Sequence, residues 1–160
     1  MTDPLREATI HAALAAAVAD VLESMFFIEA IEETSEKEAT ASVTVEIPFN
    51  GDPAGRFQMR LAQGAAQCIA ADFLGENAES LSERQSADVA LELANMICGA
   101  VLSRLESSAC FRLDSPHLVP RGLALDSRTT RFTVETGNGT LTAAIRLERR
   151  KCPATVESVS

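Results

Sequence analysis

Basic residues are scarce in this chain: 14 Lys and Arg stand against 23 Asp and Glu in 160 residues, a net charge of −9. Binding a phosphate backbone requires clustered cations, so nucleic acid is excluded as a partner. The one basic cluster, Arg146 to Lys151, is too small and isolated to reverse that conclusion. Histidines number two and cysteines four. Cys68, Cys98, Cys110 and Cys152 are scattered, with no Cys-x-x-Cys pair and no histidine at ligand spacing, which excludes a zinc site. They read as free thiols in a reducing compartment, Cys68 and Cys98 buried in apolar helices. The amino terminus lacks the basic start and apolar run of a signal peptide, and no segment reaches about 18 unbroken apolar residues. The expected location is the cytoplasm, with no membrane contact.

Catalytic motifs are equally sparse. There is no Gly-x-x-x-x-Gly-Lys-Ser phosphate loop, no Gly-x-Ser-x-Gly nucleophile elbow and no His-Glu-x-x-His zinc helix. No internal repeat or low-complexity run is present. What remains is ordinary globular composition, 46% hydrophobic and 23% charged, at a length that buries a sizeable core without disulfides or metal. Residues 1–150 are expected to form a single domain and 151–160 a frayed tail.

The stretch that does carry information is Asp88 to Leu105, proline-free and apolar over most of its circumference. At about 100° per residue, Asp88, Glu92, Asn95 and Gly99 share one narrow arc, while Val89, Leu91, Leu93, Met96, Ile97, Val101 and Leu102 cover most of the rest. The helix is therefore buried except along one stripe. That stripe offers two carboxylates, a carboxamide and a glycine, where a solvated face would carry Lys, Arg, Glu and Gln. Asn is a mediocre helix former, because its side chain competes for backbone hydrogen bonds. Two readings account for Asn95: a hydrogen bond to a neighbouring loop, or a constellation with Glu92, its surface neighbour at i−3, that acts on something docked there. Gly99 costs about 1 kcal/mol relative to alanine in a helix interior, and its bare backbone would let another molecule approach closely.

The rest of the chain supplies the frame. Asp3 and Pro4 read as the start of an amphipathic helix ending near Phe27, with Ile10, Leu14, Ala17, Val18, Val21, Leu22 and Met25 at helical spacing. Glu29 to Glu38 reads as a solvated connector. Thr40 to Ile47 alternates as a half-buried strand, Pro48 to Gly55 as a turn, and Arg56 to Leu61 as a second strand, together a hairpin. A short helix spans Gly64 to Leu74, with Ala65, Ile69 and Phe73 as its apolar side and Gly75 as its cap. Glu76 to Ser82 is a polar linker, Cys110 to Leu113 a brief strand, and Asp114 to Pro120 a loop in which His117 is a surface residue. Thr130 to Thr136 and Leu141 to Leu147 form a hairpin about Gly137-Asn138-Gly139. The expected class is α+β, two or three helices on a mainly antiparallel sheet.

The string Asp88-x-x-x-Glu92-x-x-Asn95, continuing Met96-Ile97-Cys98-Gly99, resembles the signature helix of the CheC/CheX/FliY family of chemotaxis phosphatases, and the layout from Thr40 onward is similar too. The first helix carries no second copy, since Glu23 is followed three residues later by Phe26, so the resemblance is to the single-site CheX form. It implies hydrolysis of the aspartyl phosphate of a CheY-like receiver domain. Asn95 would hold the attacking water, and Glu92 would pair with the receiver's lysine. Asp88 would accept from a donor in the partner or cap the helix. Gly99 and Pro116 would also contact the partner; Pro116 lies 21 and Pro120 25 positions after Asn95, neither at the family's usual spacing. The resemblance further implies a homodimer and no cofactor of its own, Mg²⁺ belonging to the receiver. Its rivals are a non-catalytic module that binds a receiver, and a structural relative of the flagellar switch, which has no need of the Glu and Asn pair.

Overall fold

The computed structural model describes residues 7–26, 32–33, 41–51, 54–105, 111–120, 129–137 and 139–148. Expectations at Asp3, Pro4, Phe27, Cys110, Asn138 and the tail fall outside these residues, as does most of the acidic connector.

Helix α1 (Glu7–Met25) turns Ile10, Leu14, Ala17, Val18, Val21 and Leu22 inward as the spacing predicts, together with Ala13, whereas Met25, expected on the same face, is exposed at the end of the helix. Strand β1 (Glu32–Glu33) is a two-residue element inside the expected connector. Strands β2 (Ser42–Asn50) and β3 (Gly55–Ala62) form the first hairpin, and α2 (Gln63–Leu74) follows β3 directly. Gly75 ends α2 at φ 69°, its N–H donating to Ala71 O, as a glycine cap should. After a 3₁₀ turn at Ala78–Ser80 comes α3 (Glu83–Leu105), then β4 (Arg112–Leu113), β5 (His117–Val119), β6 (Thr129–Glu135) and β7 (Thr140–Leu147).

The strands make one sheet in the order β1-β6-β7-β3-β2-β4, with β5 also on β2, every pairing antiparallel. Val45, Ile47 and Phe49 of β2, Phe57, Met59 and Leu61 of β3, and Leu141, Ala143 and Ile145 of β7 enter one core with the buried sides of all three helices. Residues of alternate parity lie on the opposite face, so the helices form one layer and the sheet the other. The class is α+β, as expected. Gly55, read as part of the turn, is instead the first residue of β3. A Cβ there would meet Arg146 O at 2.4 Å and Phe49 Cζ at 2.8 Å, so only glycine lets β7 come this close.

Two further expectations fail at the sheet edge. Pro48 lies inside β2 rather than in a turn, and the loop at Asp114 to Pro120 contains β5. Both have one cause. Phe49 pairs with Leu113 and Glu46 with His117, so Ile47 and Pro48 face the three residues Asp114, Ser115 and Pro116. That extra residue makes β4 and β5 one edge strand broken by a bulge. Asp114 N–H donates to Pro48 O at 2.9 Å; since the N and C=O of a strand residue point the same way, Pro48's missing N–H faces the bulge and costs no ladder bond.

Candidate functional site

Helix α3 begins five residues before Asp88. Its start is a capping box: Ser82 Oγ accepts from Gln85 N–H at 3.1 Å, and Gln85 Oε1 accepts from Ser82 N–H at 2.9 Å. Asp88 is therefore not a cap, which overturns one of its two readings. Along α3, Ser86, Val89, Ala90, Leu93, Ala94, Ile97, Cys98, Val101, Leu102 and Leu105 are buried. Asp88 and Glu92 are exposed, and Asn95 and Gly99 are half-buried, on the opposite arc. The structure thus brings four of the five candidates together on one stripe, about 16 Å long from Asp88 to Gly99 at the helical rise.

Among the described residues, no side-chain hydrogen bond or ion pair involves Asp88, Glu92 or Asn95. The neighbouring-loop explanation for Asn95 finds no partner among the described residues, and its carboxamide, able both to donate and to accept, sits half-buried on the stripe. Elsewhere α3 is tied down: Arg104 bonds Asp20 of α1 and also donates to Ala100 O at 3.1 Å. The helix packs against α1 and α2 and lies on β2, β3 and β5, so its stripe is rigidly held.

The fifth candidate, Pro116, is half-buried in the edge bulge just before β5, the strand segment that touches α3. Leu118 of β5, which the sequence reading missed, stands opposite Val45 and hence on the helix side of the sheet. It is 48% exposed, a large apolar side chain on the edge strand that adjoins α3. Alternation puts His117 on the other face, where its Nε2 is 3.5 Å from Glu46 Oε2, while Glu46 Oε1 accepts from Gln58 Nε2 at 2.9 Å. His117 is thereby turned away from the stripe. Phe73, read as apolar inner side of α2, is 43% exposed and instead stacks on Phe26 with ring centroids 5.0 Å apart.

Other chemistry does not assemble at the stripe. No group of three His, Cys, Asp or Glu among the described residues could hold a metal ion. Cys98 is buried and Cys68 half-buried, both free; burial pushes the Cys98 thiol up to about 12, far from a nucleophile's range. The site consists of one carboxamide and two carboxylates, fixed on a rod beside an apolar edge.

This is an α+β domain in which Glu92 and Asn95 share one stripe of a helix whose opposite side packs in the core. The model of the chemotaxis phosphatase CheX family matches residues 43–134, more than half of the chain, and the chain belongs to that family. No curated protein sequence matches it. In fold it is similar to the chemotaxis protein CheX from Vibrio vulnificus, at TM-score 0.74 and 21% identity over 89% of this chain and 99% of that one. It is similar to CheX in the CheX-CheY-BeF3-Mg²⁺ complex from Borrelia burgdorferi, at TM-score 0.72 and 16% identity over 86% and 97%. The FliM middle domain from H. pylori is a more distant likeness, at TM-score 0.54 and 16% identity over 99% and 97%.

Proposed function

We propose that this protein dephosphorylates the aspartyl phosphate of a CheY-like receiver domain in the cytoplasm, with Asn95 positioning the attacking water and Glu92 pairing with the receiver's lysine. The observation that carries this reading is the Asn95 carboxamide, without a side-chain hydrogen bond among the described residues, one turn from Glu92 on a helix whose opposite side is buried. Phosphoryl transfer asks mainly for positioning and charge stabilisation. A receiver brings the acyl phosphate, Mg²⁺ and a lysine; this chain needs no cofactor of its own and adds a water held in line. The Asn95 amide can accept from that water or donate to it, and one rigid helix keeps its separation from Glu92 constant. Glu92 fixes docking register, the use to which charge pairs at interfaces are best suited. Asp88, no longer a cap, is assigned to the same interface, with Pro116 at its edge. A homodimer is proposed on the family resemblance.

The test is the decay of aspartyl phosphate on a receiver from the same organism. Asn95→Ala is expected to lose the acceleration, roughly 100-fold or more, yet to bind the phosphorylated receiver as wild type does. Glu92→Ala weakens binding and turnover together. Wild-type decay rates with Asn95→Ala would end the water-positioning mechanism. The altered proline spacing favours a second reading, a non-catalytic receiver-binding module; its signature is binding by wild type with no change in decay.

A further inference from the structure

Among the described residues, nothing requires Gly99 to be glycine. Gly51, Gly75, Gly137 and Gly139 have positive φ, and Gly99 is not among them. A Cβ built on it meets nothing within 4 Å among the described residues, whereas at Gly139 it would come 2.9 Å from Ala62 Cβ. Neither conformation nor packing among the described residues excludes alanine, which makes the better helix. Yet the residue lies on the open stripe, one turn past Asn95.

We infer that Gly99 is a notch for a partner's main chain: on docking, a backbone segment of the receiver beside its phosphorylated aspartate lies directly on α3 at Gly99, and the missing Cβ sets how far Asn95 reaches toward phosphorus. This rests on the receiver reading of the same stripe and adds what shapes it. A partner side chain could rotate away from one methyl group, whereas main chain laid against main chain cannot, and close backbone approach is what glycine permits. Alanine at 99 props the partner outward by the thickness of a methyl group. In-line attack tolerates little displacement, about 100-fold in rate for 1 Å.

The experiment compares wild type, Gly99→Ala and Asn95→Ala by thermal melting, by light scattering, by affinity for a CheY-like receiver loaded with beryllofluoride and Mg²⁺, and by aspartyl phosphate decay. Gly99→Ala is expected to melt about 2–4 °C higher than wild type, to bind the loaded receiver at least about tenfold more weakly, and to turn over more slowly at saturation. Asn95→Ala keeps its affinity. A lower melting temperature for Gly99→Ala would show that the glycine serves the fold and would overturn the inference. So would unchanged affinity and rate. A change of oligomeric state with receiver affinity intact would assign the notch to a second copy of this chain, again overturning it. Wild type that binds without hydrolysing removes the phosphatase reading alone, and the notch is then decided by the affinity of Gly99→Ala. Wild type that binds no loaded receiver removes both.

Discussion

Residue by residue, α3 separates polar groups on its open stripe from groups that pack. Asn95 and Glu92 were legible because their polarity interrupts an apolar period. Leu118 was not, since a single leucine between prolines carries no periodic signal and its exposure is set by β2 pairing. Cys98 belongs to the packing set. Its folded value of about 12 exceeds the ordinary 9.0 because burial penalises the thiolate. Between those values the unfolded chain has lost the proton and the folded chain retains it. Stability is therefore fully present below about pH 9 and falls as pH rises toward 12, by up to about 1.4 kcal/mol per pH unit. Urea titrations between pH 8.5 and 10.5 should show this slope, and Cys98→Ala should flatten it whatever its effect on absolute stability. A slope unchanged by the substitution would place the titrating group elsewhere.

At the scale of elements, the helices and both hairpins follow from period and turn chemistry, whereas their ends do not. The polar run from Glu76 to Ser82 reads as linker up to its last residue, which is the cap of α3. The signal, Ser82-x-x-Gln85, is there, but the apolar repeat that marks the helix starts later. Removing Ser82 Oγ strips one N–H of its acceptor, so Ser82→Ala should cost about 1 kcal/mol, measured by denaturant unfolding. Because the stripe lies at least a turn further on, turnover at saturating receiver should stay at the wild-type value. A fall in turnover would mean that the first turn of α3 takes part in docking.

For the molecule as a whole, composition alone is ambiguous about its two long helices. Both α1 and α3 are long and apolar enough to cross a membrane. The buried sides of both enter the core above the sheet instead. That core depends on how closely β3 and β7 approach, which no local pattern in the sequence reveals. Gly55→Ala forces a methyl group against the Arg146 carbonyl, and overpacking of this kind costs about 1–3 kcal/mol. Its urea midpoint should drop while receiver affinity, measured well below that midpoint, is preserved. Unchanged stability would show that the two strands can part at that point without loss.

A proline inside a sheet is ordinarily a flaw, but Pro48 here does the work of a ruler. Its missing donor is harmless only where the opposing strand bulges, at Asp114, Ser115 and Pro116. Were the edge strand to slip by one residue, a regular pair would fall opposite the proline, and Leu118 would move to the far face of the sheet. The pairing therefore has one admissible alignment, which holds Pro116 and Leu118 at a fixed height beside α3. The separation between this apolar edge and the polar stripe of α3 is thus calibrated by a residue that belongs to neither.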